Sequence, residues 1–386
     1  MYVKLKNCTV LEPSSRKLEI VDIGIRDGII ATPGEMDGAR EYKTIDARGR
    51  FVTPSWTDLH THVYNLGTSL GVDADAIAKR SGVGVFVDAG SAGAGNFAGF
   101  REYVIKRSGV KIVSFLNIGF AGIPFFGIQR DSQVSEIPRL EVADSEACIA
   151  CVRKNRKYIV GIKVRLSAKA NGEFGTAPLK IAKDCARALK VPVMLHIGRP
   201  PPEVGDAVEL LERGDILTHA FRSEPNSIIE RDSGGRVSKT LREARKRGVI
   251  IDIGHGNGSF SFRTAEAALA DGFPPDTIST DLHSLSLATP VYDLPTTMTK
   301  FLNLGMGIAE IIGAVTHNPS MAIGRPKQGV ITPGERADLV VFEVTKLRQR
   351  LKDSTGEERL FPKAVQPVLR VKDGQVTRIS WRAPGR

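Results

Sequence analysis

The sequence contains no uninterrupted apolar run of the roughly 18 residues that a membrane-spanning helix needs. It has 4 cysteines in 386 residues, and their spacing does not suggest a disulfide framework. The first ten residues also lack the apolar core and the small-residue cleavage site of a secretory signal. We therefore expect a cytoplasmic protein that does not insert into a membrane.

Acidic residues are under-represented: 43 stand against 54 lysines and arginines, so the formal net charge is +11. Such a surplus attracts anionic small molecules or, non-specifically, nucleic acid. The basic residues are spread along the chain, and the densest run, at 241–247, lies on a predicted helix, where it is typical of a solvated face. We favour a small anionic substrate over nucleic acid. A homo-oligomer is compatible with the sequence.

Both ends of the sequence consist of short β-like segments separated by Asp-Gly turn signals. These segments are residues 3–11, 18–25, 29–31, 337–344, 367–372 and 375–381. Because the two ends have the same pattern, we predict that residues 1–50 and 323–386 pair into one small β-sandwich module. Residues 51–322 then form a separate domain.

The middle of the chain alternates short apolar runs with helix-like segments, which is the pattern of a parallel α/β fold. The eight runs are residues 51–59, 83–88, 111–118, 159–166, 191–197, 215–218, 249–253 and 277–280. The predicted helices between them include 97–107, 178–189, 204–211 and 237–246. Eight such units match the usual ~250 residues of a closed barrel, so the predicted fold is a (β/α)8 TIM barrel.

Six of the seven histidines stand at or just after the ends of these predicted strands, where such barrels carry their catalytic residues. They are His60, His62, His196, His219, His255 and His283. His60 and His62 are two residues apart, so on a strand both side chains point the same way. Two imidazoles that converge at a barrel mouth suit Zn²⁺.

Three charged residues within or at the ends of the apolar runs complete the predicted site. Lys163 lies inside a run, where a buried ammonium is costly, so the lysine should lose its proton, be modified or pair with an inward carboxylate. Arg165 shares its face and either holds a substrate carboxylate or forms a structural ion pair. Asp281 ends the eighth strand and is suited to act as general base and acid.

The connection at 119–144 is long and rich in Gly, Pro and Phe. Loops of this length are often functional, and this one follows a barrel strand. We therefore predict a loop that covers the substrate, with an ordinary surface loop as the alternative.

Together these motifs resemble the amidohydrolase superfamily over essentially the whole chain. The resemblance rests on Pro-Ser-Trp-Thr-Asp-Leu-His-Thr-His at 54–62, followed in order by Lys163, His196, His219 and Asp281. It implies two divalent metal ions, which we expect to be Zn²⁺, bridged by a carboxylated Lys163 that needs CO2 or bicarbonate. By the same resemblance His60, His62 and Asp281 hold the buried ion, His196 and His219 hold the exposed ion, and the Lys163 carbamate contacts both.

Within the superfamily the chain is most similar to a branch of metal-dependent deacetylases often labelled dihydroorotase-like. The similarity rests on Gly-Ile-Lys-Val-Arg-Leu-Ser at 161–167, on the stretch 252–261, on Ser-Thr-Asp-Leu-His at 279–283 and on Asp-Leu-Pro-Thr-Thr-Met at 293–298. It implies removal of an acyl group from a small acylated amino acid or hydroxy acid by attack of a metal-bound hydroxide. His255 would lie beside the substrate, and Arg165 or His255 would anchor a substrate carboxylate.

The chain departs from dihydroorotases just beyond the first histidine pair, where Val-Tyr-Asn replaces their arginine. The departure disfavours a cyclic amidase of dihydroorotase or hydantoinase type, which is the alternative reaction. Tyr64 in this stretch either faces the substrate or belongs to the wall. A deaminase comes third, because superfamily deaminases more often use one metal without the lysine. An inactive scaffold is disfavoured because all six ligand residues are present.

Overall fold

The structure is a computed structural model that describes residues 2–11, 17–32, 35, 43–123, 135–230 and 233–384. Its strands are β1 (Tyr2–Leu11), β2 (Leu18–Arg26), β3 (Ile29–Ile30), β4 (Lys43–Asp46), β5 (Phe51–Pro54), β6 (Trp56–Thr61), β7 (Val83–Gly93), β8 (Lys111–Asn117), β9 (Ile159–Leu166), β10 (Val193–Ile197), β11 (Ile216–Thr218), β12 (Ile250–Ile251), β13 (Asp338–Lys352), β14 (Glu358–Lys372) and β15 (Gln375–Arg378). Its helices are α1 (Ala74–Ser81), α2 (Phe97–Phe100), α3 (Ser145–Lys154), α4 (Ala168–Asn171), α5 (Ala177–Leu189), α6 (Val204–Val208), α7 (Lys239–Arg247), α8 (Phe262–Ala270), α9 (Leu294–Asn303), α10 (Ile308–Val315) and α11 (His317–Ala322).

Seven parallel strands, β6 to β12, form one curled sheet in chain order. Residues 277–282 lie between its last and first strands. Thr277 bridges Asp252 beyond β12, and Leu282 bridges Thr61 of β6, both in parallel orientation. The middle of the chain is therefore a TIM-barrel-like enclosure, as the eight apolar runs predict.

The segment 277–282, which closes the barrel, is held by hydrogen bonds to a side chain. In a regular β-strand these bonds would go to backbone atoms of the neighbouring strand. The buried carboxylate of Asp58 accepts hydrogen bonds from the backbone N–H of Thr280 at 2.9 Å and from its hydroxyl at 2.6 Å. The Asp281 N–H donates to the carbonyl of His60 at 2.6 Å. The eighth predicted strand consequently consists of two isolated bridges, and it delivers Asp281 next to His60.

Strands from both ends of the chain share a second sheet, in which β13 pairs with β5 and β5 with β1. The Asp27-Gly28 turn has positive φ at both residues, +49° and +81°, which fits a tight two-residue hairpin connection. Asp373 and Gly374 repeat this geometry at +51° and +80° between β14 and β15.

The first predicted barrel strand, residues 51–59, is two strands that separate at Ser55. Pro54 has no N–H to continue a ladder, and Ser55 donates its N–H to the Asp338 carbonyl at 2.7 Å. β5 therefore belongs to the sheet of the two ends, and the barrel begins with β6. The sandwich form of the end module, and its boundaries at 1–50 and 323–386 against 51–322, stay predictions.

Two apolar clusters position the site. One lies inside the barrel and includes Leu59, Val87, Phe115, Met194 and Ile216 from five strands. The larger one packs the outer faces of the strands against the helices. Because both sides of the barrel wall are filled, polar groups gather at its carboxyl end. Among the described residues, no helix has the length and apolar character of a membrane span.

Candidate metal centre

Two histidines and an aspartate converge at the carboxyl end of β6. His60 lies on the strand and His62 just after it, with ring centroids 5.6 Å apart. The Nε2 atoms of His60 and His62 lie 3.4 Å and 3.2 Å from Oδ1 of Asp281. One possible ligand atom from each residue falls within 4.8 Å of the other two. This is the close convergence that a single divalent ion requires.

The outer nitrogen of His60 is already engaged in a buried hydrogen-bond chain. Its Nδ1 lies 2.7 Å from the hydroxyl of Thr218, and that hydroxyl donates to the Asp252 carboxylate at 2.7 Å. The Thr218 oxygen therefore accepts the Nδ1–H of His60. This tautomer leaves the Nε2 lone pair facing the centre, as a metal ligand needs.

The outer nitrogens of two more histidines are held in the same way. Nδ1 of His219 donates to the carbonyl of Gly254 at 2.6 Å. Nδ1 of His62 lies 2.9 Å from the hydroxyl of Ser91, which is itself hydrogen-bonded to Asp88. Because these contacts fix the ring orientations, the inner nitrogens point to the centre before any ion binds.

His196 on β10 and His219 after β11 form a second group on the other side of Asp281. Nδ1 of His196 is 2.7 Å from Nε2 of His219, and that Nε2 is 4.0 Å from Oδ2 of Asp281. Nζ of Lys163 lies 3.3 Å from Nε2 of His60, between the two groups. The geometry thus brings together all six residues predicted from the sequence.

Lys163 is buried on β9 and has no carboxylate within ion-pair distance among the described residues. Burial lowers the pKa of its ammonium to about 8. The alternative of an inward salt bridge is therefore not found there. Gly90 makes room for the lysine: it has φ +83°, and a Cβ on it would lie 2.7 Å from both Cβ and Cγ of Lys163.

The protonation states favour metal binding. Burial holds the pKa of His60 and His196 well below the usual value and lowers the pKa of His219 to about 3, so the rings are neutral. Burial alone would raise the pKa of Asp281, but the polar contacts around it, which include a hydrogen bond with the His62 ring, hold it well below its usual range. Neutral imidazoles and an ionised carboxylate are the forms that bind metal, so the donor set fits divalent ions.

Comparison with known proteins agrees with this geometry. The model of the Amidohydrolase family matches residues 51–366, which cover the whole barrel. The chain belongs to the amidohydrolase family. Membership bears out the resemblance seen in the motifs and, together with the deacetylase relatives, identifies the chain as a hydrolytic enzyme. Amidohydrolases are generally metal-dependent, and the group of His60, His62 and Asp281 is consistent with that property.

Three relatives of this amidohydrolase illustrate its similarities. It is 38% identical to a deacetylase from Agrobacterium fabrum (strain C58 / ATCC 33970) over 342 residues, which cover 88% of this chain and 82% of the relative. It is 37% identical to a deacetylase from Brucella anthropi over 343 residues, which cover 89% and 84%. A crystal structure described as a dihydroorotase superposes with a TM-score of 0.89 at 35% identity, covering 100% of both chains.

Two of the residues predicted to contact substrate lie away from the cavity wall. His255 is fully buried, and its Nε2 is 2.7 Å from Nζ of Lys300. Tyr64 stacks on Phe100 with ring centroids 4.6 Å apart, because Gly67 leaves space for its ring. The structure therefore places both residues in packing positions behind the wall.

A cavity of about 570 Å³ opens over the centre. Its wall includes Arg165, as predicted, but Nη1 of Arg165 forms an ion pair with Oε1 of Glu136 at 2.9 Å. Three other wall residues had no predicted role, namely Lys169, Arg199 and Arg222. The wall also contains His283, one of the six strand-end histidines, Glu136 from the long connection, and Asn257, Gly258 and Ser259 from the 252–261 stretch, whose backbone amides were expected near the substrate. One readable signal was the spacing of Arg199 and Arg222, each three residues after a candidate ligand histidine.

The long connection at 119–144 reaches the cavity at two points. Ile123 and Glu136 both line the wall. Residues 124–134 between them lie outside the described residues, so the substrate-covering role of this loop stays a prediction.

Proposed function

We propose that this amidohydrolase is a binuclear metal-dependent hydrolase that removes an acyl group from a small acylated amino acid or hydroxy acid. The observation that carries the proposal is the convergence of His60, His62, Lys163, His196, His219 and Asp281 below a cavity with a cationic wall. The deacetylases at 37% and 38% identity support an acyl group as the part that is removed.

We infer that the centre holds two divalent ions, with Zn²⁺ as the expected metal. His60, His62 and Asp281 would hold one ion, His196 and His219 the other, and a carboxylated Lys163 both. When bound, such ions polarise a substrate carbonyl and lower the pKa of water. Carboxylation of Lys163 is supported by its burial without a carboxylate partner among the described residues, because a carbamate would supply the missing negative charge.

Asp281 is the residue that we assign to proton transfer. It would accept the proton of the attacking water and deliver it to the leaving amine or alcohol. Its backbone is fixed by the bond to the His60 carbonyl, and Gly256 leaves room beside it, since a Cβ there would lie 2.3 Å from Oδ2. The Asp281 carboxylate is therefore held in one position throughout the reaction.

The second candidate reaction is opening of a cyclic amide of the dihydroorotate or hydantoin type. The structure described as a dihydroorotase, at 35% identity, is the observation that favours it. The same six residues would serve either reaction. The Val-Tyr-Asn stretch at 63–65, which replaces the dihydroorotase arginine, favours the acyl substrate.

A substrate panel tests the proposal. Protein reconstituted with Zn²⁺ and bicarbonate would be assayed with acetylated and formylated amino acids of both hands, acetylated 2-hydroxy acids, dihydroorotate and hydantoins. Hydrolysis of an acylated acid would support the deacylase, whereas turnover of the rings alone would replace it with the cyclic amidase. No turnover of any compound would count against both reactions.

Asp281→Asn is expected to lower kcat by about 10²–10⁴-fold because the amide cannot accept the proton. Its oxygen still points at the ion, so metal content should stay at or above half that of the wild type. Asp206→Asn, an exposed substitution on α6, is the matched control and should leave kcat unchanged. Steady-state kinetics and elemental analysis on the same samples give the comparison. Full turnover by metal-loaded Asp281→Asn would refute the assigned role.

A further inference from the structure

Arg222 is a buried arginine in the cavity wall that the reaction described above does not use. It is 8% exposed. Nη1 donates to the carbonyl of Ile197 at 2.8 Å, which fixes the plane of the guanidinium. Nε has no hydrogen-bond partner among the described residues. Among the described residues no group is hydrogen-bonded to the edge formed by Nε and Nη2, which leaves this edge for a ligand.

No carboxylate among the described residues compensates the charge of Arg222. Its charged neighbours are Arg199 and Arg165, and burial together with these two lowers the pKa of Arg222 to about 10. Arg165 is already neutralised by Glu136, whose Oε2 also accepts from Nδ2 of Asn117 at 2.9 Å. Arg199 lines the same cavity, is exposed, and has no ion-pair partner among the described residues either.

An unpaired buried cation is costly, and a protein keeps one where a ligand supplies the opposite charge. We infer that Arg222, assisted by Arg199, binds the carboxylate of the acylated substrate, in place of the predicted anchor Arg165. This inference rests on the proposed function and names the charged group that its substrate carries. Arg165 is then a structural partner of Glu136.

The geometry favours a carboxylate as the bound group. The free edge of the Arg222 guanidinium presents two parallel N–H donors, which match the two oxygens of one carboxylate. Arg199 and Arg222 stand three residues after His196 and His219. The segments that directly follow the proposed exposed-ion ligands thus carry the anchor, so ion and anchor would act on one small substrate.

The kinetic test compares an N-acetyl amino acid with its uncharged primary amide in the metal-reconstituted full chain. Arg222→Met and Arg199→Met should each lower kcat/KM for the acid by about 10–100-fold, mainly through KM. The same variants should change kcat/KM for the amide less than about threefold. Arg213→Met, an exposed arginine outside the wall, is the matched control and should change neither value.

A binding test separates failure of the anchor from failure of the proposed reaction. Calorimetry would measure succinate, which has no hydrolysable acyl bond, against succinamide with the same proteins. Succinate binding that weakens by 10-fold or more in both variants would support the anchor even if no acylated acid is turned over.

Two results would overturn the inference. One is that folded, metal-loaded variants keep the wild-type preference for acid over amide. The other is that the wild type hydrolyses acid and amide equally well, which would leave the proposed function in place without the anchor. Because Arg222→Met removes a buried side chain and is at risk of misfolding, exposed Arg199→Met decides the question alone if Arg222→Met does not fold.

Discussion

At the scale of single residues, the proposed carboxylation of Lys163 requires a neutral amine, because only the neutral form can react with CO2. Burial lowers the pKa of Lys163 to about 8. At pH 7 roughly one lysine in ten is then neutral, against roughly one in 2,500 for an ordinary pKa of about 10.4. Burial among neutral imidazoles therefore makes carboxylation at neutral pH accessible.

The activation of metal-free protein by bicarbonate should consequently depend on pH. At constant dissolved CO2, the initial rate should rise about tenfold per pH unit below pH 8 and level off above it, because a lowered pKa leaves the reactive neutral amine dominant only above that value. Stopped-time activity assays after addition of Zn²⁺ and bicarbonate measure this rate. Lys163→Met should not respond to bicarbonate at any pH, and a response equal to that of the wild type would contradict the assignment.

The convergence of the candidate metal ligands could be predicted from the sequence, whereas the pairing of the arginines in the cavity wall could not. His60 and His62 follow the two-residue period of a strand, and Lys163 is conspicuous inside an apolar run. Arg222 stands in a loop without periodicity. The pairing of Arg165 with Glu136 joins residues 29 positions apart across a long connection. No local pattern encodes such a contact, so the sequence alone could not show that Arg165 is paired with Glu136.

At the scale of elements, the centre is built where the backbone leaves regular geometry. His219 and Asp281 have φ values of +67° and +49°, which non-glycine residues seldom adopt. Such conformations persist where surrounding contacts hold them, and they concentrate at functional sites. Here the Gly254 carbonyl holds His219, and the His60 carbonyl holds Asp281.

Gly90 on β7 offers a test of this packing. Gly90→Ala would place a methyl group 2.7 Å from Cβ and Cγ of Lys163 at φ +83°, so the lysine must move. We expect the free energy of unfolding to fall by about 1–3 kcal/mol. We also expect the metal content to fall, because Lys163 is one of the proposed ligands. Thermal unfolding and metal analysis measure the two effects. Gly205→Ala, on α6 with open space around it, should be neutral or slightly stabilising, and equal behaviour of both variants would refute this account.

The element boundaries show where sequence patterns stop being informative. The 3.6-residue pattern located helices such as α5 and α7 to within two residues. The apolar run at 51–59 gave no sign of the change of sheet at Ser55, because β5 and β6 are both largely buried and have similar apolar sequences. The eighth strand was expected as a ladder, but the Asp58 carboxylate replaces backbone acceptors there. The periodicity of apolar residues predicts which residues are buried, but it does not predict which strand or side chain packs against them.

At the scale of the whole molecule, the net charge of +11 should assist an anionic substrate. The screening length falls from about 30 Å at 0.01 M salt to about 10 Å at 0.1 M. We therefore expect kcat/KM for an acylated acid to fall several-fold between these salt concentrations, while the value for its neutral amide stays constant. The two profiles, measured at one pH, give the test. Equal salt dependence for acid and amide would remove the electrostatic explanation.

The discontinuity of the ligand set has a consequence for the order in which the protein matures. His60 comes from the first barrel strand, and Asp281 arrives only when the closing segment joins that strand. Bringing together ligands so distant in the chain costs conformational entropy that no early metal contact offsets. We therefore expect the proposed ions to bind only after the barrel has formed. A chelator should then empty the centre while leaving the barrel folded, in contrast to small zinc domains that unfold with their metal.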